Sequence, residues 1–307
     1  MIEVFHLVPA LLIGALAVYT TVARDTFAAT VGFIAYGLML TVAWVQLHGV
    51  DVALTESAIG GGLTGLLLVR ASAKLRATEA AARAERPRAS TRLAAAILAA
   101  AVSAGLAIAV LALPDPAPTL APEVLANMGP TGVGNPITAV LMAFRATDTL
   151  LEAIVLLLAL VGVWSLAPDR VWGGRPGPRY NADPDGILAF IARVLPPVGI
   201  IVGIYIFWIG ADHPGGKFQG ATIVAAMWLL AMMAGLADAP PINRRWLRLL
   251  MVAGPAVFVA VGVAGTLTAG AFLGYPDGWA KPLILVIEFA LMPSLALTLG
   301  LIMSGAP

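Results

Sequence analysis

Glu56, Glu152 and Glu288 lie inside, or at the mouths of, long apolar stretches. A carboxylate at a bilayer centre costs roughly 2.5–3.5 kcal/mol even on a lenient insertion scale, so a chain that keeps three is expected to use them. Protons and sodium ions are the ligands that a single buried carboxylate suits. Arg145, Asp148 and Glu152 recur at i, i+3 and i+7 in TAVLMAFRATDTLLEAIVLLL, on one helical face. Pairing of Arg145 with Asp148 leaves Glu152 deeper and less compensated. Glu56 stands roughly 7 Å of helix rise into GVDVALTESAIGGGLTG. It suits a proton or cation relay, and equally a pairing with a neighbouring helix or subunit. Asp51 precedes that run and is the expected N-cap. Glu288 has no basic residue within a turn, so its partner must come from another helix, another subunit or water.

Glycines punctuate these segments. Gly60, Gly61 and Gly62 weaken a helix locally. They suit close packing, with Gly61 and Gly65 as a GxxxG pair, or a π-bulge able to rotate the helix. GADHPGGKFQGATI is a short polar connection. His213 there could titrate near neutral pH, or Asp212 and His213 could simply shape a tight turn with Gly215 and Gly216. Lys217 does not complete a Walker loop, because the spacing is off by one and no Ser or Thr follows. All three histidines, His6, His48 and His213, fall toward the same side as the glutamates, which points to a polar entrance there. Glu56 and Glu152 start their helices on that side at similar depth, so both are expected to face one polar pocket. No catalytic triad, metal-ligand spacing or dinucleotide fingerprint appears. Neither an enzyme nor a cofactor or metal site is expected.

The elements that must hold these groups are membrane helices. Of 307 residues, 60% are hydrophobic and 11% charged. The expected fold is all-α and polytopic, with lipid as its solvent. Cysteine is absent, so disulfides, iron–sulfur clusters and thiolate sites are excluded. A net charge of +1 gives no sign of nucleic-acid binding. The N-terminus lacks a basic region and reads as a first membrane helix. Apolar runs mark about nine spans, near 7–22, 28–47, 52–69, 93–113, 149–166, 189–210, 218–236, 247–269 and 282–303. Threading nine spans puts fifteen of the eighteen Lys and Arg on one side, with only Arg145, Lys217 and Lys281 on the other. The positive-inside rule then places the N-terminus outside and the C-terminus in the cytoplasm. Five units follow: a three-span module at 1–70, a charged cytoplasmic linker at 71–92, a two-span module with an outer loop at 93–166, a cytoplasmic loop at 167–188, and a four-span module at 189–307. The linker is expected to be solvated and could extend the third span. Pro293 is expected to kink the last span or free a carbonyl.

These motifs resemble a known family. DVALTESAIGGGLTGLLLV is similar to the segment that ends the large A subunit of Mrp-type Na⁺/H⁺ antiporters and recurs in membrane-bound hydrogenases. NPITAVLMAFRATDTLLEAIVLL resembles the two-helix segment that follows it there, and the five spans together resemble the J subunit of respiratory complex I. GADHPGGKFQGATIVAAMWLLA resembles the B subunit of the Mrp antiporter. The resemblance implies an accessory subunit in a prokaryotic inner membrane. Its partners would be other Mrp-like subunits, including a large antiporter-like one, with lipid around them and H⁺ and Na⁺ or K⁺ as ligands. It places Glu56, Asp148, Glu152 and His213 at positions linked to ion movement or assembly, and Glu288 where an acidic residue is common in the last helix. The loop departs from the family pattern GHNAPGGGF: Asp212 holds the second position after the leading Gly with the histidine one place after it, and Lys217 replaces a glycine. Related complexes, coupled to hydrogen chemistry or inorganic-carbon uptake, are the alternative setting, and a structural scaffold is a third.

Overall fold

The computed structural model describes residues 2–84, 88–116 and 118–307, with side chains placed from His6 to Arg76 in the first stretch. Glu85, Arg86 and Pro87 of the charged linker, and Ala117 of the outer loop, lie outside the described residues. No strand occurs among those described. The helices are α1 (Ile2–Val22), α2 (Thr26–Gln46), α3 (Val50–Glu56), α4 (Gly65–Ala84), α5 (Ala89–Leu111), α6 (Ala121–Asn127), α7 (Pro136–Ala139), α8 (Ala146–Ser165), α9 (Ile187–Ile209), α10 (Lys217–Met233), α11 (Arg245–Thr268) and α12 (Ala280–Ser304). Seven continuous helical stretches are long and apolar enough to cross a membrane, and two shorter apolar ones are His6–Val22 and Lys217–Met233. Together they coincide with the nine runs expected from sequence.

Two spans differ from plain α-helices. A π-helical segment, Ser57–Thr64, joins α3 to α4, so the third span runs without a break into the charged linker as far as Ala84. The fifth span begins earlier than its apolar run suggested. Asn135 caps α7 by accepting from the Ile137 N–H, a second π segment covers Val140–Phe144, and the chain breaks at Arg145 (φ −132°, ψ 39°) before α8. Asp51 is not an N-cap. Gly49 holds that place without a side-chain bond, and Asp51 lies in the first turn of α3, free to bond elsewhere.

α12 is the most enclosed span, with α8, α10 and α11 packed around it. Its buried face (Ile284, Ile287, Leu291, Leu295) meets Met142, Leu150 and Ala153 from the fifth span and Phe258 from α11. Gly254 of α11 lets the backbone of Leu291 come close: a Cβ there would lie 2.9 Å from the Leu291 Cα. Pro293 lacks the N–H that would bond back one turn, yet α12 continues, and Ser294 Oγ instead donates to the Met251 carbonyl of α11. α1 packs on α2, and α2 on α3, the first π segment and α4. α5 is exposed along its whole length.

The connections fall into two sets. At one end, Gly134 N–H and Asn135 N–H donate to the Ala211 carbonyl, Gly215 N–H donates to Asp51, and Lys281 pairs with Asp212. At the other, Arg70 donates to the Met303 carbonyl and to the Tyr180 hydroxyl, Arg175 pairs with Asp238, and Gly177 N–H donates to the Ala306 carbonyl.

Candidate functional site

A cavity of about 270 Å³ opens between α3, α7, α8, α10 and α12. Its lining includes Asp51 and Thr55 of α3, Thr138 of α7, Glu152 of α8, Lys217 and Gln219 of α10, and Glu288 of α12. Its far wall is a buried ion pair. Lys217 Nζ lies 3.3 Å from Glu288 Oε1, with side chains only 10% and 3% exposed. The same ammonium approaches Met142 Sδ at 3.3 Å. A lysine at a helix N-terminus faces the wrong end of the helix dipole, and burial adds to the cost, so Glu288 is needed where it stands. Glu288 therefore finds its partner inside this chain.

Asp51 forms the floor. Its Oδ1 accepts from Gly215 N–H at 3.0 Å and from Asn135 Nδ2 at 3.3 Å. The loop can offer that N–H because Gly215 and Gly216 hold φ of +145° and +151°, values that disfavour any side chain. Asn135 is 3% exposed. Its amide also points to the carbonyls of Gly210 and His213, at 3.3 and 3.0 Å. Thr138 Oγ1 donates to the Gly210 carbonyl at 2.6 Å, and Gln219 Nε2 donates to Thr55 Oγ1 at 3.0 Å. These bonds join α3, α7, α9 and α10 around the cavity.

Glu152 stands at the mouth and remains exposed in the isolated chain. No hydrogen bond or ion pair reaches its carboxylate among the described residues, although the Lys217 charge acts on it across the cavity. Behind the ion pair, Tyr275 donates to the Met142 carbonyl at 2.6 Å. Burial, and then the Glu288 charge, push its phenol above the usual range, so it remains a neutral donor.

The other sequence candidates lie elsewhere. Glu56 does not line the cavity: its carboxylate folds over Gly60 and lies toward Gly37 of α2, where an added Cβ would stand 3.4 Å from Glu56 Oε1. Among the described residues, Asp51 and Thr55, not Glu56, share this cavity with Glu152. The glycine segment combines the two expected geometries. It is π-helical, and it packs on α2 through Gly61 against Leu38 and Gly65 against Ile34. Asp148 pairs with Arg145 at 2.6 Å on an exposed face. His213 is exposed and does not line the cavity; only its carbonyl takes part. Asp212 is tied to Lys281 at 2.7 Å. That bond first, with the Gly134 N–H and the charges of Lys281 and His213, holds its carboxyl below the usual range against a smaller effect of burial.

Sequence reasoning missed Asn135, Thr138, Gln219 and Tyr275. The Asn–Pro pair at 135–136 carried a helix-start signal; the other three carried none. Lys217 stands out in the sequence only as a loop residue, since its partner lies 71 positions away.

Comparison with known proteins finds two family matches. Residues 187–306 match the family described as a domain related to the MnhB subunit of Na⁺/H⁺ antiporter. Residues 11–77 match a second family, the D subunit of MBH, the membrane-bound hydrogenase. The Methanocaldococcus jannaschii protein MJ1307 is 26% identical over 156 residues, 46% of this chain and 60% of that protein. Among solved structures, a chain of the Mrp complex from Dietzia sp. superposes with a TM-score of 0.73 at 23% identity, over 97% of this chain and 34% of that one. A chain of the membrane-bound sulfane sulfur reductase, an archaeal respiratory membrane complex, superposes with a TM-score of 0.55 at 23% identity, over 70% of this chain and 98% of that one. This chain thus spans about a third of the Mrp chain and three fifths of the archaeal relative. The two family models thus match separate stretches of this one polypeptide.

Proposed function

We propose that this chain is an accessory membrane subunit of a multisubunit Mrp-like cation/proton antiporter, in which it forms part of the ion path. One observation carries the reading. Asp51 comes from the segment related to the hydrogenase family, Lys217 and Glu288 come from the MnhB-related domain, Glu152 comes from between them, and all four line one cavity. A scaffold would not need a carboxylate at a cavity mouth midway along its own surface. Glu152 is the exchangeable site, and Glu56, beside a π segment, is proposed as a second station. The membrane is a prokaryotic inner membrane, with the arginine-rich connections in the cytoplasm. Partners are the other small membrane subunits and a large antiporter-like one.

A second reading puts the same ion module in a redox-coupled complex. What favours it is the superposition over 98% of a sulfane sulfur reductase chain, at an identity that speaks for fold alone. Co-purification separates the two. An affinity tag on this chain is expected to recover an antiporter-like large subunit and no iron–sulfur or hydrogenase proteins. Deleting the chain is expected to abolish Na⁺-dependent ΔpH in inverted vesicles. Unchanged exchange without this chain would overturn the proposal, and recovery of redox proteins would favour the second reading.

A further inference from the structure

An ammonium already stands in this cavity. Lys217 Nζ lies against Glu288 Oε1 at 3.3 Å and is buried with it. Several oxygens of the lining are already bonded within the chain. Asp51 Oδ1 accepts two N–H groups, from Gly215 and Asn135. Thr138 Oγ1 donates to the Gly210 carbonyl. Thr55 Oγ1 donates to the Asp51 carbonyl at 2.9 Å and accepts from Gln219. A hard cation such as Na⁺ needs a shell of several oxygens, often freed backbone carbonyls beside a carboxylate. Here the Gly210 and His213 carbonyls that could serve are taken by Thr138 and Asn135. A proton needs only one carboxylate, and Glu152 is the carboxylate of the lining with no bond from this chain among the described residues.

We propose that Lys217 is a built-in substitute for a bound metal cation, so that this cavity carries protons and rejects Na⁺ and K⁺. The proposal rests on the reading of the cavity as part of an ion path and adds the identity of the ion. The tethered ammonium is the counter-charge of Glu288. An alkali ion entering the cavity would meet a like charge and find several lining oxygens already bonded, whereas a proton, which meets the same charge, forms one O–H bond with Glu152 and needs no oxygen shell. Selection against metal cations then comes from that charge together with the occupied oxygens.

The test uses the assembled complex and the hydrophobic carbodiimide DCCD, which modifies protonated carboxyl groups. Labelling of Glu152 is read by peptide mass spectrometry at fixed pH and ionic strength, with choline replaced by Na⁺ or K⁺. In the wild-type complex, labelling of Glu152 is expected to be the same in all three salts. In Lys217→Met, which frees Glu288 to take a cation, Na⁺ is expected to slow labelling about fivefold or more, the lower end of ordinary coupling between two sites. If the methionine variant does not assemble, Lys217→Gln is used, since it keeps a polar group at the ion-pair position. Protection of Glu152 by Na⁺ or K⁺ in the wild-type complex overturns the proposal whatever the variants do. Equal labelling in all salts for an assembled Lys217 variant overturns it as well. The readout is occupancy of a carboxyl group, not exchange. A Na⁺-insensitive Glu152 whose loss leaves exchange intact would sink the ion-path reading and spare the selectivity.

Discussion

At the scale of residues, the buried pair sets the sharpest expectation. Glu288→Gln leaves a buried ammonium with a neutral amide oxygen and the Met142 sulfur as its neighbours and no counter-charge in contact. Breaking a buried pair from one side costs roughly 3–5 kcal/mol, whereas replacing both charges is often neutral. Glu288→Gln should therefore lower the thermal midpoint of the purified complex clearly, and Lys217→Met combined with Glu288→Gln should recover most of the loss. Additive losses in the double variant would show that the two groups do not depend on each other. Asp51 carries a second expectation. Asp51→Ala removes the acceptor for Gly215 N–H and Asn135 and should cost about 1.5–3 kcal/mol, the range for a hydrogen bond to a charged group. Asp51→Asn keeps an acceptor oxygen and should cost less; equal losses would mean that the carboxylate charge itself is required. The sequence made the local pair legible: Arg145 and Asp148 are three apart and meet as spacing predicts. It could not reveal Lys217 with Glu288, or Asp51 with Gly215, because those meetings depend on how distant helices pack.

At the scale of elements, the first π segment ties backbone geometry to a membrane carboxylate. Three consecutive glycines make the wider turn cheap, and the approach of α2 fills the space beside it. A Cβ at Gly65 would lie 2.6 Å from Ile34, while one at Gly14 of α1 would meet nothing within 4 Å. Gly65→Val should overpack the α2 contact and cost about 1–3 kcal/mol, and Gly14→Val should be tolerated. Equal thermal stability of the two variants would contradict this packing. Sequence alone permitted the π turn but could not choose it, because the glycines serve close packing equally well. The second π segment left no comparable trace: VLMAF contains no glycine, and the break at Arg145 is set by the tertiary fit of α7 and α8 around Met142 and Thr149, whose hydroxyl reaches back to the Leu141 carbonyl at 2.6 Å. The facing of Glu56 escapes the sequence for the same reason. Its depth along the helix follows from spacing, but the π turn and the contact with α2 decide which way it faces.

At the scale of the whole molecule, the number of apolar helices and the two-ended grouping of loops were legible, because hydrophobic length and arginine bias are summed over many residues. The chain has no cysteine, so single cysteines report sidedness directly. A cysteine at Asp277 should react with an impermeant thiol reagent in intact cells, and cysteines at Ala82 and Gly174 should react only after the membrane is opened. Labelling of either inner position in intact cells would overturn the nine-crossing topology. What sequence could not give is the surface left for partners. α5 is exposed throughout, and Leu151, Val155 and Leu158 are exposed on α8 beside Glu152. Stable recovery is therefore expected only together with other membrane proteins of the complex. The central claim, that the carboxylate at the cavity mouth carries the exchanged ion, meets its most direct test in Na⁺-dependent ΔpH measured on inverted vesicles. Glu152→Gln and Glu152→Asp are compared with wild type, with the composition of the complex determined on the same membranes. Loss of exchange in the glutamine variant, retention of a measurable rate in the aspartate variant and full assembly of both are the predicted result; normal exchange with glutamine at this position would contradict the account.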